Sequence, residues 1–277
     1  MATESQSQSN LEPILIKQRV GEKILRLTLN RPKALNCLSL ELLNELMAAL
    51  DEAASDKTIR AIIINGVGPG FCAGHDLKEI DSKRADRDGG RAYFEALFNT
   101  CTEMMLKIAS LPIPVIAEVH KVAAAAGCQL VASCDLAVAE NEAIFAVNGI
   151  DAGLFCSTPQ VALSRNIPRK AAMEMLMLGE RIDATRALNL GLINRAVPKE
   201  QLEATVMELA TKAALRSREV IALGKKAFYQ QIEMNVKEAY SQMNSVIVEN
   251  LLLPDAECGI KAFIEKKQPH WPSDRDY

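Results

Sequence analysis

No apolar run in this chain approaches the ~18 residues that a membrane-crossing helix needs, so the sequence predicts no membrane insertion. Positive charge is not in excess. The 32 basic and 35 acidic residues leave a formal charge of −3, which removes the broad attraction to phosphate backbones and predicts no nucleic-acid partner. Cysteine is present without pattern: Cys37, Cys72, Cys101, Cys128, Cys134, Cys156 and Cys258 show no CxxC spacing and lie mostly in apolar surroundings. They read as reduced core residues, and no metal site is expected. Internal repeats and charge blocks are lacking too. Residues 1–10, MATESQSQSN, have neither the apolar centre of a signal peptide nor the arginines of a transit peptide. They read as a disordered tail on a chain of the bacterial cytoplasm or, in a eukaryote, of the mitochondrial matrix.

What remains is a chain of 277 residues, 49% hydrophobic and 24% charged, which fits one globular body with a small appendage. Two alternating apolar runs, 14–19 and 23–29, flank a turn at Val20, Gly21 and Glu22 and predict a hairpin. Ser39 stands as an N-cap before a helix in which Leu43, Leu46, Met47 and Leu50 recur at helical spacing. The run of alanine and isoleucine at 61–64 reads as a strand buried on both faces, hence a parallel sheet. The alternation continues with a helix over 91–108, a strand over 114–119, a small-residue helix from Ala125 and a strand over 136–139. After 143–147 the pattern turns almost wholly helical: 159–166, 169–178, 183–190, 201–216, 219–231, 235–252 and 255–266. The expected class is α/β with a helical C-terminal portion.

Two segments carry chemistry. In GVGPGFCAGHDLK (66–78) a buried strand runs into a glycine-rich turn, but Phe71 takes the third glycine position of a dinucleotide fingerprint and Pro69 removes a donor. Neither a Walker loop nor a G-x-S-x-G elbow occurs anywhere in the chain. In IPVIAEVHKVAAAAGCQLVASCDLA (113–137) a strand leads into alanines and a glycine that open a helix. Small residues there permit close approach to the backbone, and the orphan N–H groups of a first helical turn can hold an oxyanion. The same alanines would equally serve close helix–sheet packing.

CAGHDLK (72–78) and AAGCQL (125–130) together resemble the two oxyanion-hole segments of the crotonase (enoyl-CoA hydratase/isomerase) superfamily. The resemblance extends through LNRP (29–32), ALN (34–36), SCD (133–135), LGERIDA (178–184), PDAE (254–257) and GIKAF (259–263), and covers residues 12–271 in order. It implies a spiral core of repeated ββα units over 11–200 and a helical region over 201–277 that mediates trimer or hexamer formation. It also implies acyl-CoA thioester substrates, with coenzyme A as part of the substrate and no separate cofactor. The thioester oxygen would be held by the main-chain N–H groups of His75 and Ala126. Such donors favour the enolate-like transition state over the ground state. The resemblance further places coenzyme A contacts at Lys33, Ala34, Ala73, Asp76 and Leu77, with Phe263 and Lys266 adding adenine and phosphate contacts across a subunit interface.

The chain departs from the hydratase pattern where proton chemistry is done. The two glutamates that hold and activate water would stand at Gln129 and, within FAVNGIDAG (145–153), at Gly149. Neither residue can take a proton at neutral pH. Each such group is typically worth ~10² to 10⁴ in rate, so ordinary hydratase activity should be low. Candidates to substitute are Asp151, which would point the same way as Gly149 if the segment is extended, then Glu118, Cys156, Ser157 and His75. Asp151 could equally cap the helix that begins at Thr158 and Pro159, and the His75 ring reads more readily as a polar loop side chain than as a base. GLFCSTP (153–159) is similar to a mitochondrial and bacterial subgroup of hydratase-like proteins that also lack the glutamate pair. A catalytically weak acyl-CoA binding or regulatory protein is the competing expectation, while a Clp-type protease would need a serine nucleophile in a matching context.

Overall fold

The computed structural model describes residues 12–274, so the proposed tail at 1–10 lies outside the described residues. The chain opens with β1 (Leu15–Val20) and β2 (Ile24–Leu29), the expected antiparallel hairpin, with Val20 paired to Ile24 so that the turn is Gly21, Glu22 and Lys23, one residue later than expected, and continues into α1 (Leu40–Ser55), where the Ser39 hydroxyl accepts from the Leu42 amide. Then follow β3 (Ala61–Gly66), α2 (Leu77–Lys83), α3 (Arg91–Ser110), β4 (Val115–Val119), β5 (Val122–Ala124), α4 (Ala126–Ser133), β6 (Leu136–Glu140) and β7 (Ile144–Ala146). The remainder is α5 (Pro159–Asn166), α6 (Arg169–Leu178), β8 (Ile182–Asp183), α7 (Ala184–Leu190), β9 (Arg195–Val197), α8 (Leu202–Ala214), α9 (Arg218–Gln231), α10 (Val236–Leu251) and α11 (Pro254–Ile264).

The strands form two sheets, and from β4 onward each successive pair, β4/β5, β6/β7 and β8/β9, contributes one strand to each. The larger runs β1-β2-β3-β4-β6-β9, parallel from β2 onward, and the smaller runs β5-β7-β8. This is the ββα repeat. Along β3 the side chains alternate between two cores. Ile62 and Ile64 join the large core under α1, α3 and α4, whereas Ala61 and Ile63 pack under α8 with Ile24, Ile116 and Val138. That double burial is why the strand reads as an unbroken apolar run. α8 seals the second face with Leu202, Val206, Ala210 and Ala214, and its leucine and valine contribute roughly 1.5–3 kcal/mol each by burial.

The short strands β5, β8 and β9 and the helix α2 were not foreseen in the sequence pattern. β9 corrects the expectation of near-exclusive helix after residue 147: it pairs with β6 and closes the edge of the large sheet. α9, α10 and α11 depart from the body in character. No side chain of α10 is buried, and Val236, Tyr240, Ile247, Val248, Leu251 and Leu252 are all more than half exposed.

Candidate active site

The two segments singled out in the sequence meet. Phe71 N–H donates to the His120 carbonyl at 3.1 Å, Cys72 N–H to Val122 at 3.1 Å, and Ala124 N–H returns to Cys72 at 2.9 Å. Beyond this ladder the first segment swings to the stretch that precedes α1, where Leu38 N–H donates to the Gly74 carbonyl at 2.7 Å. Two glycines permit the approach. A Cβ at Gly127 would lie 2.1 Å from the Cys72 carbonyl oxygen, and one at Gly74, whose φ is +99°, would lie 2.9 Å from Ala125 Cβ and 3.3 Å from Ala126 N. Ala125 itself is held at φ +48°, ψ −117°, anchored by its N–H to Ala146 O at 2.9 Å. A non-glycine residue so placed costs ~1–3 kcal/mol, and the turn directs the chain into α4 with its first N–H groups free of intrahelical partners. Among the described residues the His75 and Ala126 amides donate to no acceptor. These N–H groups suit a developing negative oxygen.

The rim is built from the 31–38 segment. Asn36 is fully buried, accepts from Arg31 N–H at 2.9 Å, and donates to the Val67 and Gly70 carbonyls at 2.8 Å each. Arg31 reaches Cys37 O and forms a 2.8 Å ion pair with Asp76. Asp76 in turn caps α2 through the Lys78 and Glu79 amides. Burial pushes the Asp76 carboxyl up, but the Arg31 guanidinium and the two amides outweigh it and hold it below the usual range. Lys33 and Ala34 lie on a 3-10 turn, and Ala73 N–H donates to Leu35 O at 3.0 Å, so these residues gather with Asp76 and the exposed Leu77 on one side. Phe263 and Lys266 do not join them within the chain. α11 packs on α9, α10 and the 272–274 turn; Phe263 on it is 85% exposed, and Lys266 falls beyond its end rather than in its last turn as expected.

The His75 ring leans on Phe98 of α3, centroids 4.9 Å apart and nearly perpendicular, with Nδ1 3.3 Å from Leu38 O. Burial lowers its pKa, so the neutral imidazole is favoured. Gln129 is 6% exposed on α4 and its Oε1 has no hydrogen-bond partner.

The segment around Gly149 is not extended, which corrects the expectation that Asp151 shares its direction. Residues 148–152 form a 3-10 turn, and Asp151 is exposed, accepts from Asn148 Nδ2 at 3.3 Å and lies against Gly179 rather than capping α5. A Cβ at Gly149 would meet Leu154 O at 2.6 Å and Cys156 Sγ at 2.8 Å. Cys156 is buried, accepts from the Gly149 N–H at 3.3 Å, and burial raises its pKa, so it stays a thiol. Ser157 donates to Phe155 O. Glu118 is removed from the site altogether: it faces α8 in a buried 2.8 Å ion pair with Arg26. Sequence reasoning overlooked Arg31 and Phe98. The charged Arg31 beside a proline was the available signal for the first, and nothing marked the second.

The Enoyl-CoA hydratase/isomerase family model matches residues 19–274. The mouse protein named enoyl-CoA hydratase domain-containing protein 3, mitochondrial, is 46% identical over 263 residues, spanning 95% of this chain and 86% of the mouse protein. Among solved structures, an enoyl-CoA hydratase of Mycobacterium smegmatis is 48% identical with a TM-score of 0.89, covering 94% of this chain and 99% of its own. Human enoyl Coenzyme A hydratase domain-containing protein 3 is 42% identical with a TM-score of 0.88, covering 94% and 100%.

Proposed function

This chain belongs to the enoyl-CoA hydratase/isomerase family, and from that premise we propose that it is an acyl-CoA enzyme whose His75 and Ala126 amides hold the thioester oxygen while the usual hydratase glutamates are replaced by Gln129 and Gly149. The observation that carries this reading is the pair of acceptor-free amides locked together through Gly74 and Gly127. As the thioester becomes enolate-like its oxygen gains charge, and one fixed donor is typically worth ~3 kcal/mol. Lys33, Ala34, Ala73, Asp76 and Leu77 contact coenzyme A mainly through their main chains. Phe263 and Lys266 reach the nucleotide of a neighbouring subunit.

The exposed apolar faces of α10 and α11 support assembly into a homotrimer or hexamer, since patches of this kind on soluble proteins usually meet a partner. The setting is the mitochondrial matrix of a eukaryote or a bacterial cytoplasm, and the relatives named mitochondrial support the first. A second reading, an acyl-CoA binding or regulatory protein with little turnover, is favoured by the closed Gly149 position. A panel of short, medium and aromatic acyl-CoAs separates the two. Product formation on any of them supports the enzyme, binding without product supports the regulator, and no calorimetric binding at near-millimolar concentration rejects both.

A further inference from the structure

Buried polar atoms without partners gather on one side of the oxyanion loop. His75 Nε2 and Gln129 Oε1 are shielded from solvent and make no hydrogen bond, and beside them the equally shielded Glu79 Oε2 and Tyr93 Oη find no partner except each other. Native interiors rarely leave such atoms unpaired, and where they cluster a ligand or a reaction is a natural explanation. The four come from one neighbourhood. His75 ends the loop that leads into α2, Glu79 lies in the first turn of α2, Tyr93 opens α3, and α3 packs against α4, which carries Gln129. Tyr93 lies over α2: the Lys83 ammonium, one turn beyond Glu79 on the same helix face, is 5.3 Å from its ring centroid. Phe98, one turn further along α3, holds the His75 ring.

The other carboxylates near the hole are engaged or turned away. Asp76 belongs to Arg31 and two amides, Glu118 to Arg26 across the sheet, and Asp151 is exposed beside Gly179. Among the described residues Glu79 makes no ion pair, and only the Tyr93 hydroxyl meets its carboxylate.

We propose that Glu79, assisted by the Tyr93 hydroxyl, supplies the proton chemistry that Gln129 and Gly149 lack, removing a proton from the carbon adjacent to the thioester carbonyl. The inference rests on the acyl-CoA reading above. In the step, a Glu79 oxygen takes the proton from C2. The C–H electron pair forms a C1=C2 double bond, and the carbonyl π pair moves onto the oxygen held by the His75 and Ala126 amides. Return of the proton to C2 regenerates the thioester; delivery to C4 of a 3-enoyl ester moves the double bond into conjugation. No water, oxidant or reductant enters. Tyr93 remains a donor, since burial first, then its hydrogen bond to Glu79 and the Glu79 and Asp76 charges, raise its pKa. His75 stays neutral, for the reason given above, and places no competing positive charge between base and substrate.

The test follows deuterium entering C2 of 3-butenoyl-CoA in D2O by mass spectrometry, with calorimetric binding measured on the same folded samples. Wild type should exchange saturably, and Glu79→Gln should lose about 100-fold or more while its Kd stays within about threefold. Tyr93→Phe should lose about tenfold in exchange rate while its Kd also stays within about threefold, because the base loses the hydroxyl that orients it. Exchange unchanged in folded Glu79→Gln overturns the proposal, as does a wild type that binds the thioester without exchanging. Absence of binding in wild type instead overturns the acyl-CoA reading itself. If Glu79→Gln does not fold, Tyr93→Phe decides: full exchange in the folded variant overturns the assignment.

Discussion

The two halves of the candidate site differ in how much the chain has kept. On the oxyanion side, glycines at 74 and 127 stand where any Cβ would collide, and two amides point free of protein acceptors. On the opposite side, at the two positions we propose for the missing glutamates, Gln129 carries no titratable group and the space beside Gly149 is filled by Leu154 O and Cys156 Sγ. On the proposed reading, thioester recognition and proton transfer are separable properties of this fold. The first needs backbone geometry that the whole core enforces. The second rests on a few side chains, so it can be lost, or moved to another wall, without disturbing the rest.

The largest effect should come from breaking the retained half. Gly127→Ala must displace the Cys72 carbonyl, because the added Cβ would lie 2.1 Å from it. Turnover of any active acyl-CoA should fall by about 10² to 10³, as expected when an oxyanion donor is misplaced, and steady-state kinetics beside circular dichroism would register it. Gly149→Glu sharpens the contrast from the other side. The sequence alone predicts that Gln129→Glu with Gly149→Glu raises hydration by restoring a shared water. The structure revises that expectation. The barrier is not a left-handed backbone, since Gly149 is absent from the positive-φ glycines, but occupied space. We expect Gly149→Glu to cost about 1–3 kcal/mol of stability by overpacking and to leave crotonyl-CoA hydration unrestored. Chemical denaturation with parallel kinetics reads both.

A smaller effect is tied to pH. The His75 pKa is lowered by burial, so the folded chain favours the neutral ring and the unfolded chain binds the proton more readily. Its contribution to stability is present above the ordinary histidine value near ~6.5 and is lost as pH falls through the folded value. His75→Gln should flatten that part of a stability profile measured across the mildly acidic range. Smallest for the single chain is Leu252→Lys at the C-cap of α10, a residue 80% exposed. It should leave the protomer's unfolding within ~0.5 kcal/mol, yet lower the assembly's mass in light scattering. An unchanged mass would place the interface elsewhere.

Much of the scaffold could be read from residue order because its signals are local. The unbroken apolar run of β3 implied burial on both faces, Ser39 announced α1, and helices α5 and α6 begin and end where periodicity put them. β5, β8 and β9 escaped because two or three residues are too few to show a period. At the site, motif spacing brought residues 72–75 and 125–126 together correctly, whereas Glu118 misled because strand alternation turns it to the α8 face. Asp151 misled because a 3-10 turn cannot be told from an extended segment by its composition. The closure of the Gly149 position depends on Cys156, seven residues away, folding back onto it.

Steady-state hydration of crotonyl-CoA by folded wild-type protein, followed as loss of enoyl absorbance, tests most directly whether recognition has been kept without the hydratase acid–base pair. The account predicts a rate that saturates with the thioester but a kcat well below the ~10 s⁻¹ of an ordinary enzyme. A kcat of about 10 s⁻¹ or more would contradict it and return Gln129 and Gly149 to the status of working hydratase positions.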